Sequence, residues 1–318
     1  MDTKILKANP DGFAIASEIL KSGGLVAFPT ETVYGLGADA FNTKAVAKIY
    51  SAKKRPNFNP LIVHVIDLET AQKFVYLDAD ALLLANNFWP GPLTIVAPIR
   101  AGSNLSELIT AGLDTIAIRV PAHPVARKLL EIFNGPVAAP SANLSGSISP
   151  TNASHVKNGL NGRIHAILNG GKCNVGLEST IILSQNEECH LLRSGGIPEK
   201  NIEEILGYKL LSNKHPISPI SPGQLSSHYA PNAKLRMNAQ SASEDEYMIG
   251  FGHIIGQLNL SSKGDLTEAA SNLFSYLHMA DEDTLTLGKT KIAIAPIPMN
   301  GLGIAINDRL KRASSPRD

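Results

Sequence analysis

The chain is poor in the residues that mark several large classes of protein. Only two cysteines, Cys173 and Cys189, occur among its 318 residues, and neither belongs to a Cys-x-x-Cys pair or to a Cys/His cluster at zinc spacing. A disulfide framework or a structural metal is therefore not expected, and we expect no metal ligand among the site residues. The scarcity of cysteine also fits a reducing compartment.

An excess of one charge is missing as well. The 29 basic residues are matched by 28 acidic ones, and aromatic residues make up only 5% of the chain. A wide electrostatic footprint on nucleic acid, or a surface on which bases stack, is therefore not expected. No apolar run approaches the length of a membrane-spanning helix, and the first residues lack the pattern of a signal peptide. We therefore expect a cytoplasmic protein with no membrane partner.

Several familiar catalytic signatures are absent too. The sequence contains no Gly-x-x-x-x-Gly-Lys-Ser/Thr loop, no Gly-x-Gly-x-x-Gly after a strand and no Gly-x-Ser-x-Gly elbow. No close group of carboxylates predicts a two-metal site. What remains is a set of cations and hydroxyls, which favours binding an oligophosphate and stabilising its charge over covalent catalysis.

The pattern of apolar residues predicts two domains. Short apolar runs alternate with helical patterns over 1–207, which indicates an α/β domain with a mixed sheet. Within it we expect Asp11 to cap the first helix, Thr43 to begin the second, and residues 29–37 to form a glycine-punctuated loop. Residues 208–231 are rich in proline and serine and are interpreted as a linker. A smaller α/β domain is predicted over 232–318.

One serine-rich run has the composition of a ligand-binding loop. The segment Ala139-Pro-Ser-Ala-Asn-Leu-Ser-Gly-Ser-Ile-Ser-Pro-Thr151 follows a predicted buried strand with small, hydroxylic side chains. Such a segment lets backbone N–H groups and hydroxyls approach a large polar ligand, as anion-binding loops do. A plain surface loop is the competing interpretation, and composition alone favours it.

Cations lie where they could meet a phosphate. Lys53-Lys-Arg-Pro56 ends a predicted helix, where its charges could either oppose the helix dipole or clamp phosphate oxygens. Arg193 ends a predicted strand and opens into a glycine turn, a position at which ligands often bind in α/β sheets. His64, within an apolar strand, is either a core histidine with satisfied hydrogen bonds or a substrate contact.

Arg119 interrupts the apolar strand Thr115-Ile-Ala-Ile-Arg-Val120. A buried arginine is costly unless it is paired. Its partner could be a protein carboxylate brought close by the fold, or the carboxylate of a small ligand. The sequence leaves both alternatives open.

These segments occur in a distinctive order and spacing. The order is Lys53-Lys-Arg-Pro-Asn-Phe-Asn-Pro-Leu61 with His64, Trp89-Pro-Gly-Pro-Leu-Thr94, Arg119-Val-Pro-Ala-His-Pro124, Ala139-Pro-Ser-Ala-Asn-Leu-Ser-Gly146, Gly176-Leu-Glu-Ser-Thr180 and Leu192-Arg-Ser-Gly-Gly-Ile197. Together they resemble the threonylcarbamoyl-AMP synthases. The resemblance continues through Ser221-Pro-Gly-Gln-Leu-Ser-Ser-His-Tyr-Ala-Pro231 and Gly301-Leu-Gly-Ile-Ala-Ile-Asn-Asp-Arg-Leu-Lys-Arg-Ala313, which are typical of the long form. It implies a YrdC-like open, mixed, twisted sheet with helices, plus a smaller Rossmann-like α/β domain.

The resemblance also implies a reaction. L-threonine, bicarbonate and ATP would give L-threonylcarbamoyladenylate and pyrophosphate, with ATP as substrate and Mg²⁺ held mainly by its phosphates. Downstream transfer proteins would pass the threonylcarbamoyl group to an adenosine beside the tRNA anticodon, so tRNA is expected to be an indirect partner.

Roles for individual residues follow from the same resemblance. The catalytic cations would be Lys53, Arg55 and Arg193. The threonine subsite would be formed by Thr32, His64, Arg119, Ala139 and Ser179, with the Arg119 side chain on the threonine carboxylate. The ATP contacts would be Arg55, Asn59, Thr115, Ser141, Ser149, Arg193 and Tyr229. The linker that carries Tyr229 would close over the nucleotide as a lid.

The sequence disfavours two other functions. A carbamoyltransferase of hydrogenase maturation shares the first-domain chemistry, but it carries zinc-finger-like cysteine motifs and an acylphosphatase-like segment, neither of which is visible here. A non-catalytic RNA-binding module is disfavoured by the near-zero net charge and the few aromatics.

Overall fold

The structure is a computed structural model that describes residues 2–56, 58–185, 188–212 and 228–315. Its strands are β1 Lys4–Lys7, β2 Val26–Pro29, β3 Tyr34–Asp39, β4 Ile62–His64, β5 Leu93–Pro98, β6 Thr115–Arg119, β7 Val137–Ala138, β8 Ala166–Asn169, β9 Thr180–Gln185, β10 Glu188–Arg193, β11 Leu211–Ser212, β12 Lys234–Arg236, β13 Glu246–Gly250, β14 Leu258–Asn259 and β15 Lys291–Ile294. Its helices are α1 Pro10–Lys21, α2 Thr43–Lys53, α3 Leu68–Ala71, α4 Ala79–Phe88, α5 Pro124–Phe133, α6 Ala153–Leu160, α7 Glu199–Leu206, α8 Leu266–Thr286 and α9 Leu302–Ser314.

A large mixed sheet organises the first part of the chain. Its strand order is β1-β8-β2-β3-β7-β4-β6-β5-β9-β10-β11, with parallel and antiparallel neighbours. The carboxyl ends of β4, β6 and β10 meet the amino ends of β5 and β9 on one edge, because the registers pair His64 with Arg119 and Arg193 with Ile181. The mixed α/β fold predicted from the sequence is confirmed, and this edge is where polar side chains collect.

Both faces of the sheet are covered. In β2, Ala27 packs into a cluster with residues of α2 and α4, while Val26 and Phe28 pack against α1 and α5 on the opposite face. All four residues of β2 are therefore buried, as expected for a central strand with helices on both sides. A rigid, doubly covered sheet holds the edge residues in fixed positions.

The observed element boundaries confirm one prediction made from local sequence signals and correct two others. Helix α2 begins at Thr43 as predicted, with the Asn42 side chain accepting a hydrogen bond from the Ala45 amide. The cap of α1 is Asn9 rather than Asp11, which lies within the first turn. The predicted loop over 29–37 was wrong in its second half, because β3 begins at Tyr34.

Glycine explains why β3 was missed. A Cβ at Gly37 would come within 2.8 Å of the Phe28 ring, and one at Gly35 within 3.3 Å of the Ala139 Cβ. These two glycines allow close approach of neighbouring chains inside the sheet rather than a turn. Glycine punctuation therefore marks tight packing in this segment.

The second unit is a four-stranded, all-parallel sheet in the order β12-β15-β13-β14, with α8 and α9 packed on it. This arrangement agrees with the small α/β domain expected from the sequence. The division at residues 207 and 232 stays a prediction, and β11 still pairs with β10 on the first sheet. The predicted lid lies largely in residues 213–227, outside the described residues.

The two units are in close contact. Gly176 has a φ of +74°, and a Cβ there would come within 2.5 Å of the Ala270 carbonyl in α8, so only glycine fits this approach. None of the described helices has both the length and the apolar content to cross a bilayer.

Candidate functional site

A pocket opens at the sheet edge where β4, β6, β9 and β10 meet. Its wall is completed by the segment after β2, by residues following β7, and by two residues that precede the second unit. The residues that line it are Thr30, Thr32, Val33, Gly35, Arg55, Ile62, His64, Arg119, Ala139, Pro140, Ser141, Glu178, Ser179, Arg193, His228 and Tyr229.

The pocket brings together most of the residues predicted to form the site. Those that line it are Thr32, Arg55, His64, Arg119, Ala139, Ser141, Ser179, Arg193 and Tyr229. They come from segments far apart in sequence, so the fold supports the predicted clustering. Four others, Lys53, Asn59, Thr115 and Ser149, lie outside the pocket wall.

Arg119 is buried and its charge is matched by a protein carboxylate. Its Nη2 donates to Glu31 Oε1 at 2.5 Å, its Nη1 to Thr32 Oγ1 at 3.0 Å and its Nε to the Gly91 carbonyl at 3.1 Å. A guanidinium has five N–H donors, so two remain on Nη1 and Nη2 at the pocket wall. The protein-carboxylate alternative is thus realised, and donors for a ligand carboxylate are still left.

Glu31 is itself fixed by backbone contacts. Its Oε2 accepts hydrogen bonds from the amides of Ala122 and His123 at 3.0 and 3.3 Å. Burial alone would raise the pKa of Glu31, but the charge and hydrogen bond of Arg119 outweigh it and hold the pKa below its usual range. The carboxylate is therefore ionised at neutral pH and keeps the guanidinium oriented.

Hydroxyl groups form a second polar layer around Arg119. Thr30 Oγ1 lies 2.7 Å from Thr32 Oγ1 and also donates to the Val33 carbonyl. On the other side of the pocket, Thr94 Oγ1 and Ser179 Oγ are 2.7 Å apart. These short side chains leave room for a small ligand while offering donors and acceptors to it.

His64 is a neutral imidazole on the pocket wall. Burial, followed by the nearby positive charge of Arg119, lowers its pKa to about 3. Its Nδ1 is buried and has no hydrogen-bond partner among the described residues. The neutral ring lines the pocket and can exchange hydrogen bonds with a polar ligand without adding charge, which is compatible with a substrate contact.

Two further arginines give the pocket a cationic side. Arg55 donates to the carbonyls of Asn59 and Pro60, and burial lowers its pKa to about 10. Arg193 donates from Nε and Nη2 to the Ser179 carbonyl. Backbone carbonyls help to hold both guanidinium groups in place on the pocket wall.

Lys53 is not among the residues that line the pocket, and its role as a catalytic cation stays a prediction. Its side chain passes beneath the serine-rich loop, and Nζ donates to the carbonyls of Ser141 and Asn143 at 2.5 Å each. The Lys53 carbonyl accepts a hydrogen bond from the Ser145 amide. As the last residue of α2, it is directed into the loop and stabilises the loop's path.

Thr115 and Ser149 also depart from their predicted places. Thr115 begins β6, whereas Arg119 ends it, so the two lie about 13 Å apart at the usual rise of a strand. The structure does not bring Thr115 to the pocket. Ser149 is fully buried, and its hydroxyl donates to Glu178 Oε1 at 2.6 Å. It reaches the pocket only through that carboxylate.

Asn59 lies behind Arg55 rather than on the wall. Its backbone carbonyl accepts from Arg55, but both polar atoms of its buried side-chain amide lack partners among the described residues. Buried amides are nearly always hydrogen-bonded, so this side chain has unused capacity for a ligand.

Tyr229 closes the far side of the pocket. It is 1% exposed, its ring lies 5.4 Å from that of Phe274 in α8, and its neighbour His228 lines the same wall. Its position agrees with the prediction that the end of the linker reaches the site. The rest of the predicted lid lies outside the described residues.

Sequence reasoning missed three charged residues and one histidine at this site. Glu31 and Glu178 lie inside or beside quoted motifs, but their partners are 88 and 131 positions away. Arg309 lies within the C-terminal segment, and His228 is next to Tyr229. The requirement that a buried arginine be paired was a usable signal for an acidic partner, although it could not say which one.

Comparison with known proteins agrees with this arrangement. Residues 18–195 match a family model described as "Telomere recombination", and residues 197–315 match one described as "Threonylcarbamoyl-AMP synthase, C-terminal domain". Threonylcarbamoyl-AMP synthase of Bacillus subtilis is 40% identical over 340 aligned residues, covering 99% of this chain and 96% of the relative. The enzyme of the same name from Pyrococcus abyssi is 38% identical, covering 95% and 94%.

A solved structure extends the likeness to the whole fold. The crystal structure of P. abyssi Sua5 complexed with L-threonine superposes with a TM-score of 0.89 at 35% identity, covering 99% of this chain and 98% of that one. Both sheets and the helices on them are therefore shared. The chain belongs to the threonylcarbamoyl-AMP synthase family.

Proposed function

We propose that the pocket joins L-threonine, bicarbonate and ATP to give L-threonylcarbamoyladenylate and pyrophosphate. The observation that carries this proposal is one pocket that holds arginines in two different surroundings. Arg119 presents two remaining donors beside small hydroxyl side chains, and Arg55 and Arg193 lie on the neighbouring wall. The first arrangement suits an amino-acid carboxylate and the second suits a triphosphate. Curated relatives named threonylcarbamoyl-AMP synthase support the same assignment.

In the proposed threonine subsite, Arg119 binds the carboxylate through Nη1 and Nη2. Thr32 and Ser179 lie within the hydroxyl layer and supply polar contacts, and the backbone at Ala139 lies against the amino acid. His64 is neutral and offers its unpartnered Nδ1 to the threonine amine or hydroxyl. A P. abyssi relative solved with L-threonine supports an amino-acid subsite in this fold.

The chemistry then needs positioning more than a strong acid or base. The neutral threonine amine attacks the bicarbonate carbon, and loss of water leaves a carbamate. A carbamate oxygen attacks the α-phosphorus of ATP, and the bond to the pyrophosphate leaving group breaks. Fixed cations beside the leaving group stabilise the charge that develops there, and each charge-assisted hydrogen bond contributes about 1.5–3 kcal/mol.

For ATP, we propose direct contacts from Arg55, Arg193, Ser141 and Tyr229. The Asn59 amide supplies a further polar contact, since neither of its polar side-chain atoms has a hydrogen-bond partner among the described residues. Lys53 and Ser149 act at one remove, by holding the loop that carries Ser141 and by holding Glu178. The ATP contact predicted for Thr115 stays a prediction, since Thr115 lies at the opposite end of β6 from Arg119.

Mg²⁺ is proposed to arrive with the triphosphate. Over the described ranges, no group of three or more His, Cys, Asp and Glu side chains could hold a metal ion. Glu31 and Glu178 line or approach the pocket, but their oxygens already accept hydrogen bonds from arginines and other donors. The ion would therefore be held by phosphate oxygens and water, and it would add positive charge to the leaving group.

Downstream, the product is a mixed anhydride that must be consumed by a transfer reaction. We propose that separate transfer proteins pass the threonylcarbamoyl group to tRNA adenosine in the cytoplasm, and that tRNA meets this chain only indirectly. The near balance of charge supports an indirect role.

Pyrophosphate release with single substrates omitted tests the proposal. We expect release to require L-threonine, bicarbonate and ATP together, and to fall to background when any one is left out. Release that continues unchanged without threonine would contradict the function.

A further inference from the structure

A buried carboxylate lies on the cationic side of the pocket. Glu178 is 6% exposed, lines the pocket beside Ser179 and Arg193, and accepts the Ser149 hydroxyl at 2.6 Å. A negative charge at this place opposes the binding of a triphosphate, which Arg55 and Arg193 otherwise favour. The carboxylate therefore needs an explanation.

The partner of Glu178 comes from the second unit. Arg309, in α9, donates from Nε to Glu178 Oε2 at 3.0 Å and is 0% exposed. Its Nη1 donates to the Ser194 carbonyl at 2.7 Å and to Asp308 at 2.9 Å. Arg309 is therefore a fully buried cation that reaches across the boundary between the units and ends at the pocket wall.

The positive charge of Arg309 helps to keep the Glu178 carboxylate ionised. Burial works to raise the pKa of Glu178, but Arg309 first and Arg193 second outweigh burial and hold the pKa below its usual range. Glu178 is consequently charged at neutral pH. Without Arg309, its charge would be left to Arg193, which would then have less positive charge to offer a phosphate.

We infer that Arg309 is a positioning residue supplied by the C-terminal unit, which neutralises Glu178 so that Arg55 and Arg193 stay available to the triphosphate. This inference rests on the proposed placement of ATP. It gives the second unit a defined part in the site: removing its arginine exposes the ligand to a buried negative charge. Arg309 Nη2 has no hydrogen-bond partner among the described residues, so a direct phosphate contact is the competing role.

A suppressor experiment separates the two roles. In Arg309→Met, which keeps an unbranched apolar stem but removes the charged guanidinium, we expect the Kd for ATP to rise at least tenfold while the KM for threonine changes less than threefold. In Glu178→Gln/Arg309→Met, the repulsive charge is gone, and we expect the Kd to return to within threefold of Glu178→Gln alone. Arg309→Lys retains the charge and should keep most of the affinity.

Three results would overturn the inference. A folded Arg309→Met protein with unchanged Kd for ATP means that Glu178 needs no neutralisation. A double variant that stays as weak as Arg309→Met means that Arg309 contacts the phosphates itself or acts only through packing. An equal loss in Arg236→Met, a control from the half-exposed Arg236–Glu246 ion pair of the second sheet, means that the effect is not specific to Arg309 and Glu178.

Two features keep the experiment decisive. If Arg309→Met does not fold, because Glu178 is left buried without its partner, the comparison of the double variant with Glu178→Gln gives the answer alone. The Kd for ATP is measured by equilibrium binding in the absence of threonine, so it does not depend on turnover. If wild-type protein released no threonine-dependent pyrophosphate, the proposed reaction would be rejected. The Kd values for ATP would still test the role of Arg309, because they do not depend on turnover.

Discussion

The buried guanidinium of Arg119 is paired with protein groups, and some of its N–H donors are still left for a ligand. Arg119 gives three of its five N–H donors to Glu31, Thr32 and Gly91, and the two that remain are at the pocket wall. The pairing with Glu31 offsets the cost of burying the guanidinium and fixes its plane. A preorganised arginine of this kind binds a carboxylate with little further loss of side-chain entropy.

Arg119→Lys tests this role at the scale of one residue. Lysine keeps a positive charge beside Glu31 but cannot offer the two-pronged geometry to a carboxylate. We expect the KM for threonine to rise about 10- to 100-fold, the equivalent of about 1.5–3 kcal/mol, and the KM for ATP to change less than about threefold. Steady-state kinetics with each substrate varied in turn would measure both.

The matched control is Arg127→Lys. Arg127 lies in α5, where it donates to the Ile66 carbonyl outside the pocket, so its substitution should leave both KM values unchanged. A larger effect of Arg119→Lys on ATP than on threonine would reject the proposed subsite.

At the scale of elements, the sequence predicted helix starts and apolar strands, but it did not predict where backbones pack closely together. The start of α2 at Thr43 followed from its helical pattern, and the mixed sheet followed from alternating apolar runs. β3 was missed because Gly35 and Gly37, which allow close approach of Phe28 and Ala139, have the same appearance in sequence as turn glycines. Sequence pattern describes the path of the chain, but it does not say which neighbour crowds a backbone.

For the site, the sequence predicted several of the residues that come together but not the partners with which they pair. Residues at strand ends on one edge, such as His64, Arg119 and Arg193, converge as expected. Thr115 begins β6 and Arg119 ends it, so the predicted ATP contact of Thr115 stays a prediction. The pairings of Glu31 and Glu178 span 88 and 131 positions, and only the fold sets such contacts.

Lys53, the last residue of α2, is expected to stabilise the serine-rich loop through its two hydrogen bonds. Lys53→Met leaves the buried carbonyls of Ser141 and Asn143 without their donor, at a cost of about 1–3 kcal/mol each. We expect faster amide hydrogen exchange over residues 141–147 and a weaker Kd for ATP. Lys44→Met, on the exposed face of the same helix, should change neither quantity. Unaltered exchange in Lys53→Met would show that the loop does not depend on this lysine.

At the scale of the molecule, the units are joined by polar contacts as well as packing. His155 of α6 and His278 of α8 stack with ring centroids 3.9 Å apart, and His278 Nε2 lies 3.3 Å from the Ser149 carbonyl. Burial lowers the pKa of both, to about 3 for His155, where the neighbouring His278 adds to the effect, and to about 4 for His278. The stack therefore forms between neutral rings.

This pair predicts a pH dependence of stability. Free histidine titrates near pH 6.5, so between about pH 6.5 and 4 the unfolded chain binds protons that the folded chain does not, and stability falls as the pH falls. The hydrogen bond to the Ser149 carbonyl and the charge of Asp281 reduce the effect of burial but do not reverse it, because the pKa of His278 stays low. His278→Phe keeps a stacked ring and removes one titrating group.

Thermal midpoints measured from pH 7.5 to 4 would check this. We expect the midpoint of His278→Phe to fall less steeply over that range than that of wild type. His253→Asn, in an exposed loop of the second unit, should follow wild type. Parallel curves for wild type and His278→Phe would remove this pair from the account.

The proposed reaction places the bicarbonate carbon between the threonine amine and the adenylate, as a carbamoyl group whose oxygen is bonded to the α-phosphorus. The most direct measurement is mass spectrometry of the product formed from ¹³C-labelled bicarbonate, L-threonine and ATP. We expect a threonylcarbamoyladenylate that carries one labelled carbon and forms in step with pyrophosphate. Pyrophosphate released together with AMP, but with no labelled adenylate even at the earliest times, would contradict it.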